Sequence, residues 1–545
     1  MSLKLEQNCS ILLPELDKQI CEKLKKTSLL KFNEKAAEKD EHVLKSVVDT
    51  NGWDLIYGIQ VKYLNMAIRH FYETGEKAMP VDFEIDYRDS DEYQEPIAKI
   101  TGGKFGAWQI VSGGDGKNIC LSVPILEGTF YYNGSSVPEK DGLGGCCVTI
   151  EVALEFIEAT NNLADSSSNM KLLKIKGHTY QEADNRMPVV VTEFKIPQGC
   201  SISKRKRGDL IQGFQEWFNL DSSLKLFDMV FSVVYPDFSI EEDLKWMKKT
   251  FTSYAYAENP TSFDNSVFAI LAMTNDRDGS NLPHQVPGNM LIDNDRLLSS
   301  CLAVNSLFYM KYAFLPSVQK AYPNESTNLV YDDQQNHIEG HNLHLDGVKV
   351  MAVTYYPEIT DFIMEAASNV YHVDVKLKVD ISPGICLNQS YCFDFTLCKG
   401  VNDKEETVMS YSVTKTDSKS SLDVDTGIII TEAILGVVGI LGSMIAEKMA
   451  EWTVQRVIIV IIVAICASVE LMIELLVKAS ISGQLSEKSL PPAKGFVCCG
   501  TSDIVWPLCE GDDYERYELN EIVMNGAILF KGDPGYVKLL PVNKL

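Results

Sequence analysis

The sequence predicts an α+β protein in which long antiparallel meander sheets wrap around long helices, with an apolar helical hairpin toward the C-terminal end. Three observations carry that prediction. The stretch Asn51–Glu73 is too apolar for a surface helix, strands of period-2 alternation follow it in series, and residues 427–478 hold two long apolar runs.

The first stretch reads NGWDLIYGIQVKYLNMAIRHFYE. Asp49, Thr50 and Asn51 are helix-capping residue types placed just ahead of the apolar run. At 3.6 residues per turn, Lys62, Asn65, Arg69 and Glu73 share one polar stripe roughly 80° wide. Trp53, Ile56, Tyr57, Gln60, Tyr63, Leu64, Ala67 and Phe71 are the candidates for a buried core helix or for one wall of a lipid groove. An ordinary surface helix needs an apolar stripe of only about 100°, so this one is expected to be wrapped by a curled sheet or by other helices.

The strands come next. Residues 81–87 alternate Val, Phe, Ile and Tyr with Asp82, Glu84 and Asp86. Residues 119–125 alternate in the same way, and 148–156 set Val148, Ile150, Val152, Leu154 and Phe156 on one face. The pattern resumes at 373–381 (VDVKLKVDI) and 391–397 (YCFDFTL). Glycine-rich separators such as SGGDGKN and EKDGLGG supply the turns. Strands with one wet face, met in series, indicate an antiparallel meander rather than a parallel α/β sheet.

In the segment 427–478, GIIITEAILGVVGILGSMIA carries the single charge Glu432, and VIIVIIVAICASV carries none. This predicts a helical hairpin, in which Gly436, Gly439, Gly442 and Ser443 allow close approach of another backbone. A soluble core hairpin is the first expectation. The second run is only 13 residues long, and Glu432, Glu470 and Glu474 would be costly in hydrocarbon. Membrane insertion is the alternative, with Val457, Ile458, Ile459, Val460, Ile461 and Ile462 as the inserting residues.

Composition narrows the function classes. The 545 residues are 45% hydrophobic and 23% charged, with a formal net charge of −25. That charge argues against nucleic acid as a partner. It also restricts any contact with anionic lipid to a local basic patch. Lys204, Arg205, Lys206 and Arg207 form the dense basic run, and are the candidates for meeting headgroups from a loop tip, at about 1 kcal/mol per charge. The N-terminus MSLKLEQNCS does not read as a signal peptide, so synthesis in the cytoplasm is expected. The fourteen cysteines lack framework spacing and are expected to be mostly reduced, buried small residues.

Catalytic motifs fail one by one. Val111 stands where a phosphate-binding loop around Gly116-Lys117 needs glycine, and Asn118 where it needs Ser or Thr. No nucleophile elbow or H-E-x-x-H occurs in the chain. His337, His341 and His344 sit close together in HIEGHNLHLD, but Gly340 and the absence of apolar periodicity favour an exposed loop over a metal site. No enzyme, cofactor or metal is expected from these residues.

Three blocks of uncommon wording carry a family resemblance: NGWDLIYG with the residues after it, WMKKTFTSYAYAENPTSFDNSVFAILAMTNDRD (246–278), and DIVWP…YELNEIVMNGAILFKG (503–532). From about Val47 to the C-terminus the chain resembles the forty-seven-kilodalton protein and OrfX family of clostridial neurotoxin gene clusters. The resemblance implies a TULIP (tubular lipid-binding) fold, a long helix swaddled by an antiparallel sheet. It also implies a non-enzymatic role beside a toxin, with a lipid, a membrane surface, a toxin or other cluster-encoded proteins as partners. Alternatives are a structural interaction module with a self-filled core, or a pore-forming or insecticidal component acting through the hairpin. No catalytic or ligand residues come with the resemblance.

The expected organisation is a helical extension at 1–46 that lies outside the resemblance, a TULIP-like helix and sheet region at 47–426, the hairpin at 427–478, and closing strands at 479–545.

Overall fold

The computed structural model describes residues 9–26, 47–74, 82–88, 96–133, 139–158, 171–176, 187–198, 202–226, 230–234, 246–293, 296–316, 327–452 and 517–534, with a few shorter pieces between them. Two large antiparallel sheets dominate. The first has fourteen strands among the described residues. Its middle is a meander of Tyr371–Ser382, Ile385–Val401 and Thr407–Val424, the last two being 17 and 18 residues long. Tyr371–Ser382 alternates buried and exposed positions almost without a break, because one face lies on the core and the other on water.

The other arm of this sheet is buried on both faces. Leu55–Gln60 lies between Val267–Thr274 and Ser300–Asn305, and every residue of the first two strands is buried. The stretch predicted as one helix from Asn51 to Glu73 is therefore a strand followed by a helix, α2 (Val61–Thr74). A short run of continuous apolar residues suits a strand covered on both faces as well as it suits a buried helix turn, and periodicity alone does not separate the two. Here the neighbouring strands decide: Ile56 pairs with Leu271 and Ala303, an arrangement no local pattern encodes. The capping reading of residues 49–51 is corrected with it. Asn51 and Gly52 take positive φ (52° and 87°) in a turn closed by Trp53 N–H donating to Thr50 O at 3.0 Å.

The second sheet has ten strands among the described residues, centred on Ala98–Phe105, Asn118–Tyr132 and Cys147–Glu158. The strands expected at 81–87, 119–125 and 148–156 all lie in it, and those at 373–381 and 391–397 lie in the first sheet. A helix, α3 (Lys204–Phe218), packs on this sheet. Phe214, Trp217 and Phe218 meet Phe83, Phe105 and Phe194 there, with ring centroids 5.4 to 6.3 Å apart.

On the first sheet sit α1 (Pro14–Lys26), which buries Leu16, Ile20 and Leu24, and α4 (Glu432–Trp452). The predicted extension is thus partly integrated: Cys9–Leu12 adds a strand to the end of Thr407–Val424, and α1 follows against that strand. Of the four small residues of the hairpin's first limb, Gly442 and Ser443 face α1. A Cβ on Gly442 would stand 3.0 Å from Leu16, and Ser443 Oγ accepts from Lys23 Nζ at 3.2 Å. Gly436 and Gly439 face open space. The second limb lies outside the described residues except for Ile462, which is buried; Val457, Ile458, Ile459, Val460 and Ile461 are outside them.

Candidate functional site

Strand alternation divides the groove candidates between two faces. Trp53 and Ile56 belong to a small core on one side of the first sheet, with Ala255, Leu271 and Met290. Trp53 Nε1–H donates to Pro283 O at 2.8 Å, and its ring stacks on Phe251. Tyr57, Leu64 and Ala67 belong to the main core on the opposite side, and Tyr63 packs at its margin. Tyr57 meets Tyr517 edge-on at 6.3 Å. Gln60 is buried, and its Nε2 has no hydrogen-bond partner among the described residues. The side chain of Phe71 lies outside them. A single wall made of all eight residues does not exist, because Ile56, Tyr57 and Gln60 stand on a strand whose neighbours alternate sides.

The main core is contributed by the inward positions of both sheets. Tyr371, Tyr391, Phe393 and Phe395 fill the space under the long meander, each at most 1% exposed. Buried polar atoms sit among them: Tyr371 Oη, Tyr391 Oη and Gln389 Oε1 lack partners among the described residues. Such groups are costly to bury unless something meets them.

The sheets are joined at residues 112–117 and 254–258. Tyr254 Oη donates to Lys117 O at 2.7 Å and accepts from Leu154 N–H at 2.5 Å. Tyr256 and Gly116 exchange backbone bonds at 2.8 and 3.0 Å. α2 spans the same gap, since Asn65 both donates to Ile110 O at 2.9 Å and accepts from Ile110 N–H at 2.8 Å.

The basic run is not a loop tip. Lys204 to Arg207 form the first turn of α3, with Ser203 Oγ accepting from Lys206 N–H. Lys206 is 5% exposed and pairs with Glu139 and with Asp141, the latter at 2.9 Å. The Glu139 carboxylate holds its ammonium above the ordinary lysine range. Arg207 lies 3.9 Å from Glu193. Lys204 and Arg205 face water and Arg207 is partly exposed, so of the four candidates Lys206 is the one turned inward. The physical reason is that a charged run can begin an amphipathic helix, in which every third or fourth residue turns inward.

The histidine group is also rearranged. His337–Gly340 and Leu343–His344 are strands rather than an exposed loop. His337 is buried while His341 and His344 face outward. His337 shares a cluster with Asp332 and Glu339, but Asp332 already accepts from Gln334 N–H and Gln335 N–H at 2.7 and 3.2 Å.

α4 is the clearest surface feature. Among the described residues it is the one helix long and apolar enough to cross a membrane, and 39% of that stretch is buried. Val438, Leu441, Ile445 and Met449 face inward, while Leu435 and Ile440 stand 44% and 47% exposed.

These features define a class: an antiparallel two-sheet protein with helices laid on its sheets and an extensive shared core. The sequence matches the OrfX-like family (Protein OrfX2/OrfX3/P47) over residues 50–532, and the chain belongs to that family. It is 25% identical over 397 residues to Protein OrfX3 of Clostridium botulinum (strain Kyoto / Type A2), covering 66% of this chain and 75% of the relative. It is 22% identical over 323 residues to Protein P47 of the same strain, covering 58% and 69%. Its fold is similar to the solved structure of P47 from Clostridium botulinum A2, with a TM-score of 0.57 at 16% identity, over 90% of this chain and 99% of that one.

Proposed function

We propose that the chain is a non-enzymatic accessory protein of a bacterial toxin system that associates with lipid or a membrane surface, on a TULIP-type scaffold. The observation that carries the reading is α4, an apolar helix anchored along one side to α1 and the first sheet while Leu435 and Ile440 remain in water. A helix serving the core alone would turn its large apolar residues inward; those left exposed here offer a surface for apolar contact. Family membership supports the accessory role, and the fold supports the scaffold.

The test is flotation of the full chain with liposomes. Wild type is expected to rise with the vesicles, and the Leu435→Glu/Ile440→Glu variant to stay in the dense fraction with unchanged circular dichroism. Wild type remaining in the dense fraction at every lipid composition would overturn the membrane reading.

The second reading, an interaction module with a self-filled core, is favoured by Tyr371, Tyr391, Phe393 and Phe395, which occupy the concave space themselves. Native mass spectrometry separates the two. A lipid mass released on mild organic extraction supports an occupied interior, and a bare chain that does not float supports the module.

A further inference from the structure

Strands Tyr371–Ser382 and Ile385–Val401 run in antiparallel register with His372 opposite Asp394 and Asp374 opposite Cys392. Alternation turns these four side chains to the outer face of the sheet, while Tyr371, Val373, Phe393 and Phe395 enter the core. The next strand sets Asp417 opposite Cys392. His372 Nδ1 meets Asp394 Oδ1, and its Nε2 lies 3.1 Å from Asp374 Oδ2. Cys392 Sγ stands 3.9 Å from each ring nitrogen. One ligand atom each from His372, Cys392 and Asp394 lies within 4.8 Å of the other two.

We propose that His372, Cys392 and Asp394 bind a divalent transition-metal ion of the zinc class, with Asp374 orienting the imidazole. Nitrogen, sulfur and oxygen donors together suit zinc, a borderline-soft ion that takes Cys, His and carboxylate in tetrahedral geometry. Bond lengths of that geometry place sulfur and nitrogen ligands about 3.6 Å apart, close to the separation present. Asp394 and Nδ1 need only part by under an ångström to admit the ion. The second carboxylate matters as much as the donors. With Nδ1 on the metal, Nε2–H donates to Asp374, the carboxylate–histidine–metal arrangement that fixes tautomer and ring orientation.

The arrangement is built on paired strands rather than on a loop, so the donors are held by the ladder itself. A histidine bridging two carboxylates would account for His372, Asp374 and Asp394 without a metal. It would not call for a thiol directly across from Asp374, with Asp417 on its other side. Binding releases the thiol proton and offsets the local excess of carboxylates.

The test uses the full chain, stripped of metal by chelation and titrated with cobalt(II) and, separately, with zinc(II). One equivalent is expected to bind, with thiolate-to-cobalt charge-transfer absorption. His372→Ala and Cys392→Ser should lose that absorption, and Asp374→Asn should weaken binding about 10- to 100-fold. Absence of stoichiometric binding by the wild type overturns the site without reliance on any variant. So does charge-transfer absorption that persists in Cys392→Ser, or binding that is lost instead in His337→Ala.

Discussion

Asp54 shows how one side chain ties the sheet arm together. It is 1% exposed, pairs with Arg277, and accepts from Thr274 N–H at 2.8 Å and Thr274 Oγ1 at 3.2 Å. Burial pushes its carboxyl above the usual range, against the opposing influence of Thr274 and Arg277. The Arg277 guanidinium in turn lies 4.8 and 5.0 Å from the Phe308 and Tyr312 ring centres. Asp54→Ala strands the buried Thr274 N–H and half-buried Arg277, and should lower stability by about 3 kcal/mol, read from urea denaturation. Thiol chemistry gives a second check at this scale. Among the described cysteines, Cys120, Cys146 and Cys301 are buried. Burial pushes the Cys301 thiol up to about 12. Alkylation of the native protein should therefore spare Cys301 while denaturation exposes it, as peptide mass mapping would show. A Cys301 that labels as fast in the native state as in denaturant would contradict the placement.

At the scale of elements, α1 and α4 depend on one close approach. A Cβ at Gly442 would meet Leu16 at 3.0 Å and Gln389 at 3.1 Å, both from neighbouring elements. Gly442→Val should therefore force the helices apart and cost about 1–3 kcal/mol. Gly436, on the same helix, faces open space and is exposed. Gly436→Ala should raise stability by up to about 1 kcal/mol through helix propensity alone. Thermal melts of the two variants shifting in opposite directions would confirm the asymmetry. The element α3 carries a related lesson. Its basic first turn is unfavourable to the helix dipole, yet Lys206 is retained where Glu139 and Asp141 receive it.

At the scale of the molecule, the two sheets behave as one body because Tyr254 and α2 bridge them. Tyr254→Phe removes a donor to Lys117 O, in part-buried surroundings, and leaves the buried Leu154 N–H without this acceptor. A loss of about 2 kcal/mol is expected, within the range for an unsatisfied buried donor. Hydrogen exchange should show it as faster opening at residues 112–117 and 254–258 than elsewhere, whereas uniform acceleration would argue that the bridge is not a local seam. The proposed metal site and α4 both belong to the first sheet, the metal on strands of its meander and α4 packed against it.

How much of this was legible follows from which interactions are local. The one-face-wet strands at 81–87, 148–156 and 373–381 were readable, since alternation reports burial on one side directly. The resemblance carried by residues 246–278 and 503–532 was readable as wording, and the family match over 50–532 contains both blocks. The strand at Leu55–Gln60 was not. Its six buried residues present no period at all, so helix and strand were equally good local solutions. Lys206 was misread because charge suggests water, and only Glu139 and Asp141, more than sixty positions away, explain its burial. The cluster at His372 was invisible for the same reason. His372 and Asp394 are twenty-two residues apart and become neighbours only through strand register.

By itself, then, the sequence determined the sheet-rich antiparallel character, the alternating strands, the apolar stretch that became α4 and the family, because each is written in local periodicity or in wording. The tertiary structure alone decided which apolar run is a strand, which side of it each groove candidate faces, which basic residues stay in water, and which polar side chains meet across the sheet. Those outcomes are set by pairing between distant strands, and a one-residue change of register would turn every one of those side chains to the opposite face.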